Sequence, residues 1–282
     1  MYDVAIIGTG PAGLSAALTL KLHEKSILWF GSPDFSPKVE KSEKIANYPG
    51  IPLVSGSELN RRFQAQAHES GLEPVDKMVT NIMPMDDHYS LLADNEVYEA
   101  RTGLLATGVV SAKGIPGETE FLGRGVSYCA TCDGFLYKGK TIGVFCGSER
   151  YEHEVEYLAD LAEKVYLYTP YKGQKVNREN VEAIAPIKAV TGGMKVTALQ
   201  LIDGTELPVS GLFCLRNAVA PATLLPGLQL DGQHITVQRN QATNLPGCFA
   251  AGDCTGRPYQ LAKAAGEGNV AAHAILDYLS GR

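Results

Sequence analysis

The sequence is short of several things, and each shortage narrows what the protein can be. No apolar run approaches the ~20 residues of a membrane-spanning helix. A basic excess is missing too: the formal charge is −6, ordinary for an enzyme and contrary to indiscriminate nucleic-acid binding. Cysteines number six, at 129, 132, 146, 214, 248 and 254, too few and too scattered for a secreted disulfide framework. Only Cys129 and Cys132 form a close pair. Low-complexity tracts are absent. The opening "MYDVAIIGTG" carries no basic leader or cleavage site and reads as a strand. Together these absences set the expectation of a cytoplasmic protein with neither membrane nor nucleic acid as partner.

What is present points to alternating strands and helices. At 282 residues, 45% of them hydrophobic, the chain suits two medium domains with cores that need no staples. "DVAII" (3–7) is a strand followed by glycines and then by Leu14, Ala17, Leu18 and Leu22 at helical spacing. "SILWF" (26–30) is the next strand, and Leu59, Phe63 and Ala67 stripe a helix that opens near Ser57. Further strands are expected at 89–92, 102–107, 141–145, 165–168, 195–201 and 247–252. A last helix is expected over about 261–279, with Leu261, Ala265, Gly268, Ala272, Ile275 and Leu279 inward. The pattern is α/β, and its strand–turn–helix opening is echoed near 141–162.

The first turn reads Gly8-Thr-Gly10-Pro-Ala-Gly13, a G-x-G-x-x-G directly after a strand and opening a helix. The first glycine permits the tight turn, the second lets a pyrophosphate approach the backbone, and the third lets helix and strand pack closely. Unpaired N–H groups and the positive dipole end then face the phosphates. One part of the general fingerprint is missing. The second strand ends in Phe30-Gly31, with no acidic residue to hold a ribose hydroxyl, and Asp34 lies late for that role.

"SYCATCDG" (127–134) is the second motif. Two thiols with two residues between them can close a disulfide across one turn, and a following helix lowers the pKa of the leading thiol. The competing readings are two plain core cysteines or half a zinc site; zinc needs four ligands, which Cys248 and Cys254 could in principle complete, but no second C-x-x-C or paired His exists. Asp133 has two readings from position alone: carrier of the proton that thiol exchange must move, or helix cap.

The motifs Gly8–Gly13, "NYPG" (47–50), "LLATG" (104–108), "YCATCDG" (128–134) and "FAAGD" (249–253) stand in the order found in low-molecular-weight thioredoxin reductases. The chain resembles that family over nearly its whole length. The resemblance implies two Rossmann-like nucleotide-binding domains: a FAD domain from residues 1–110 and 217–282, interrupted by a smaller dithiol-bearing domain over 111–216. It implies FAD contacts from Gly8, Gly10, Pro11, Ala12, Gly13, Asn47, Ala106, Thr107, Gly108, Gly252, Asp253 and Gln260. Cys132 would face the flavin, Cys129 would attack thioredoxin, and the protein would form a homodimer. A dithiol that must meet both a flavin and a bulky protein also implies a swing about the crossings near 109–114 and 214–220.

The second strand–turn–helix departs from the family. NADPH-dependent members carry G-x-G-x-x-A there, followed by an H-R-R cluster for the 2′-phosphate. Aligned from "IGVF", the small positions become Cys146, Ser148 and Tyr151, and the cluster becomes Thr169-Pro170-Tyr171. Tyrosine at the helix-packing position fills the space for close approach, and Glu149, Glu152 and Glu154 oppose a phosphate. Lys172, Lys175 and Arg178 lie just beyond and are the remaining cations that a phosphate could use.

An intact FAD site and dithiol with an eroded pyridine-nucleotide site look like the ferredoxin-dependent flavin thioredoxin reductases. That resemblance implies ferredoxin as electron donor, with Lys38, Lys41 and Lys44, followed by Arg61 and Arg62, as a basic face for it. The same residues fit three alternatives: an NADPH-dependent reductase with an atypical site, a dithiol oxidase on the same scaffold, and a non-catalytic flavoprotein whose dithiol senses redox state.

Overall fold

The computed structural model describes residues 1–94, 96–108, 114–118, 120–128, 130–216 and 221–281, Cys132 by its backbone alone. The chain forms two compact units, Met1–Ser111 with Pro221–Arg282, and Ala112–Ala220.

The first unit begins with β1 (Tyr2–Ile7), α1 (Pro11–Leu22) and β2 (Ile27–Phe30). A short helix α2 (Pro37–Glu40), α3 (Gly56–Glu69) and the strands β3 (Val79–Pro84), β4 (Tyr89–Ala93) and β5 (Glu96–Leu105) follow. In α3, Ser55 caps the N-terminus by accepting from Glu58 N, and Leu59, Asn60, Phe63 and Ala67 form its buried face. β1 pairs in parallel with β2 and with the second half of β5, while the first half of β5 pairs antiparallel with β4.

The second unit carries β6 (Val126–Ser127), α4 (Ala130–Asp133), β7 (Thr141–Cys146), α5 (Glu152–Leu161), β8 (Lys164–Tyr168) and β9 (Val181–Ala183). Three antiparallel strands, β10 (Ile187–Gly192), β11 (Val196–Leu201) and β12 (Glu206–Pro208), form a small separate sheet, and β13 (Leu212–Leu215) returns to the main one. That main sheet runs β6-β13-β7-β8-β9 with every pairing parallel. Its core joins Ile142, Val144, Tyr151, Val155, Leu158, Leu167 and Phe213.

The chain then completes the first unit with α6 (Pro221–Leu224), the hairpin β14 (Leu230–Asp231) and β15 (His234–Ile235), β16 (Cys248–Ala250) and α7 (Leu261–Leu279). β16 adds in parallel to β5, making a six-stranded sheet. Close packing of α7 on α1 depends on Gly268, where a methyl group would collide with the Ala12 carbonyl.

Two sequence expectations move by a residue or more. Leu22 is exposed, because α1 ends there and the helix turns its last residue outward; Ala12, Gly13, Leu14, Ala16, Ala17 and Leu20 are the buried ones. In α7 the buried stripe is Ala264, Gly268, Ala271, Ala272 and Ile275, and Ala265 is only half-buried, since the small residues that meet α1 set the face.

Candidate functional site

At the end of β1 the backbone turns through Gly8, whose φ of 122° belongs to glycine. Gly8 N donates to Phe30 O at 2.8 Å, and the Trp29 indole donates to Gly8 O at 2.9 Å, so the turn is held from β2 on both sides. A methyl at Gly13 would collide with the Gly8 carbonyl, whereas one at Gly10 would meet nothing within 4 Å. Gly10 caps α1 without a side-chain hydrogen bond and Pro11 sits in the first turn, so the helix N-terminus is left to whatever occupies that open space. An anionic pyrophosphate fits there by charge, donors and room.

Two of the other expected flavin-contacting stretches meet this turn. Gly8 packs against the Ala106 carbonyl and Thr107 N, and Gly252 against Ala12. Asn47 Nδ2 donates to Gln260 Oε1 at 2.8 Å, joining two of the expected polar contacts. Asp253 Oδ2 is 3.3 Å from Lys38 Nζ. Sequence reasoning missed the pair that holds the Gly252–Asp253 turn: Glu267 accepts from Gly252 N at 2.8 Å, Lys263 donates to Gly252 O at 2.8 Å, and the two are 3.0 Å apart. Their i,i+4 spacing on the last helix was the available signal.

Cys129 lies outside the described residues, and Cys132 sits in α4 with its side chain undescribed. Asp133 closes α4 and occupies the N-cap position of the 3-10 turn Gly134–Tyr137, yet makes no side-chain capping hydrogen bond. Of the two readings of Asp133, the cap finds no support.

At the second turn the frame survives with different contents. Tyr151 is buried in the core of its unit. Cys146 is buried as well, its Sγ 3.3 Å from Ser148 O and 3.5 Å from the Tyr171 hydroxyl, and burial pushes its thiol pKa up. Tyr171, which stands where the phosphate cluster would end, donates to Glu152 Oε1 at 2.8 Å. The other oxygen of Glu152 accepts from Lys175 N at 3.1 Å. The first residue of α5 therefore carries a carboxylate held by the chain's own hydroxyl and backbone N–H. Of the nearby cations, Lys175 pairs with Glu149 at 3.7 Å and Arg178 with Asp160 at 3.2 Å.

The basic face expected before "NYPG" is partly taken up internally. Lys38 is drawn to Asp253, and Arg61 and Arg62 share Glu58. Lys41 and Lys44 remain exposed. Among the described residues no cluster of His, Cys, Asp and Glu could hold a metal, and no helix is long and apolar enough to cross a membrane.

Residues 2–150 match the family model for pyridine nucleotide-disulphide oxidoreductases. The thioredoxin reductase of Helicobacter pylori is 34% identical over 309 residues, covering 99% of each chain. The crystal structure of a ferredoxin–flavin thioredoxin reductase from Clostridium acetobutylicum superposes with a TM-score of 0.92 at 41% identity, over 99% of this chain and 98% of that one. A thioredoxin reductase from Gloeobacter violaceus matches at 30% identity and a TM-score of 0.81, over 100% of this chain and 95% of that one. The chain belongs to the pyridine nucleotide-disulphide oxidoreductase family and is a FAD-dependent disulfide reductase of the thioredoxin reductase type.

Proposed function

We propose that this protein takes electrons from a reduced ferredoxin and delivers them in pairs, through FAD and the Cys129–Cys132 dithiol, to the disulfide of thioredoxin, without NADPH. The observation that carries the reading is the closure of the second turn. Glu152, held by the Tyr171 hydroxyl and Lys175 N, sets negative charge at the head of α5. A nucleotide phosphate would have to displace that carboxylate and break both hydrogen bonds before gaining any contact. The 41% identity to the ferredoxin–flavin enzyme supports the same donor.

In this reading Gly8, Gly10, Pro11, Ala12 and Gly13 hold the pyrophosphate of FAD, Ala106–Gly108 and Gly252 line its site, and Asn47, Asp253 and Gln260 supply polar side chains. FAD when bound supplies a centre that accepts single electrons and gives them up as a pair. The Cys129 thiolate attacks the thioredoxin disulfide, forming a mixed disulfide and releasing one thioredoxin thiolate. Cys132 then attacks the Cys129 sulfur, frees the second thiolate and re-forms the Cys129–Cys132 disulfide, with Asp133 carrying a proton. Taking about −400 mV for a plant-type ferredoxin and −270 mV for thioredoxin, transfer of the pair is downhill by about 6 kcal/mol. Ferredoxin docks through the exposed Lys41 and Lys44, and two copies of the chain form a homodimer.

The test is a reconstituted chain in the absence of oxygen. Reduced ferredoxin with this protein should reduce thioredoxin catalytically, and Cys132→Ser should trap thioredoxin on Cys129 as an unresolved mixed disulfide. Absence of both products would refute the assignment.

A further inference from the structure

A buried ion pair in the second unit belongs to neither turn. Glu118 is 3% exposed and Arg216 9%. Arg216 Nη2 donates to Glu118 Oε2 at 2.8 Å, and Ile115 N donates to the same oxygen at 2.7 Å. The second carboxylate oxygen accepts from the Tyr128 hydroxyl at 2.8 Å. The Arg216 guanidinium also lies 4.8 Å over the Phe145 ring, and its Nε has no hydrogen-bond partner among the described residues. Burial and the Glu118 carboxylate drive the Tyr128 phenol pKa upward, which keeps the hydroxyl a donor.

The position of this network in the sheet gives it a task. Strands β6, β13 and β7 are parallel neighbours, so their carboxyl ends lie side by side. Tyr128 follows β6 and precedes Cys129, Arg216 follows β13, and Phe145 is near the end of β7. In open parallel sheets this row of carboxyl ends is where ligands sit; here a salt bridge spans it. Stability alone gives little reason for such a pair, because well-packed apolar residues of similar volume serve as well or better. Its distinguishing property is direction: it ties together three segments that approach from different places in the sequence, one of them the segment that bears the leading cysteine.

We propose that Glu118 and Arg216 are positioning residues for the disulfide chemistry, a step that rests on Cys129 being the attacking thiol. Through the Tyr128 hydroxyl they hold the residue that immediately precedes Cys129 in the sequence, and with it the rate of thiol attack. They act through Tyr128.

Three variants test this: Arg216→Met, Arg216→Lys and Tyr128→Phe, each as the full-length, flavin-loaded protein. Reduced methyl viologen as donor and thioredoxin as acceptor make the assay independent of ferredoxin. Arg216→Met should lower kcat about tenfold with KM for thioredoxin unchanged, and Tyr128→Phe about threefold. Alkylation of Cys129 in the reduced protein by iodoacetamide should change rate in both, and Arg216→Lys, which keeps a donor and the charge, should recover most of the loss. Wild-type kcat in folded Arg216→Met or in Tyr128→Phe overturns the proposal, even where the melting temperature falls. Should Arg216→Met not fold, Tyr128→Phe decides alone. If the wild type passes no electrons from viologen to thioredoxin, the reductase assignment is what has failed. The alkylation rates then decide positioning by themselves, equal rates in wild type and variants overturning it.

Discussion

At the first strand–turn–helix, glycines leave the N-terminus of α1 open, and no side chain caps it. At the second, the same frame of β7 and α5 ends in a buried tyrosine and a carboxylate, and a second tyrosine from the far side of β8 hydrogen-bonds that carboxylate. The two helix ends carry dipoles of the same sign. Neither end has a side-chain cap; the first is left open at Gly10, whereas the second carries Glu152 and Glu154 in its first turn. The same frame thus persists with different contents, acidic side chains at the head of the second helix and a buried tyrosine beside it.

The comparison breaks most sharply at Gly13. A Gly13→Val side chain would meet the Gly8 carbonyl, so the turn must open and the pyrophosphate cradle with it. The purified variant should be colourless and inactive, and an absorbance scan checks this; a yellow, active variant would contradict the assignment of the first turn. The matching change in the second turn should leave chemistry alone and cost stability. Tyr151→Ala removes a buried aromatic, which costs about 3 kcal/mol. Calorimetry should show a lower unfolding temperature, while kcat with a one-electron donor stays at the wild-type value.

A smaller effect concerns the thiols outside the dithiol. Burial pushes Cys254 up to about 11 and Cys248 up to about 12, and raises Cys146 and Cys214 as well. At pH 8 only about one Cys254 thiol in a thousand is ionised. Iodoacetamide on the native reduced protein should therefore label the dithiol and spare these four, as peptide mapping would reveal. The sign for stability follows. A thiol whose folded pKa lies above its unfolded value of about 8.5 contributes fully below that pH. Its contribution is lost as pH rises toward the folded value, so denaturant midpoints should fall from about pH 9 toward about pH 11.

The first turn was legible in the sequence because each of its requirements is local: a β-branched strand, three glycines at fixed spacing and a helical stripe. Erosion of the second turn was legible for the same reason, as Cys146, Ser148 and Tyr151 stand where small residues were expected. Its closure was not. Tyr171 and Glu152 are 19 positions apart, and nothing in spacing or composition says that the hydroxyl of one reaches the carboxylate of the other. The same limit hid Glu118 and Arg216, which are 98 positions apart and meet only because β13 returns beside β6. Short strands such as β6 and β13 offer too few residues for a period to show. At the ends of helices, periodicity also misled: Leu22 fits the stripe of α1 but lies past the surface that the stripe covers.

The central claim is that the second unit no longer grips a nicotinamide dinucleotide, and flavin colour tests it most directly. Under anaerobic conditions the oxidised yellow protein is titrated separately with NADPH and with reduced ferredoxin while absorbance near 450 nm, roughly the flavin maximum, is followed. Bleaching by ferredoxin at two electrons per flavin, with no bleaching by NADPH at millimolar concentration, is the predicted result. Rapid stoichiometric bleaching by NADPH would contradict it.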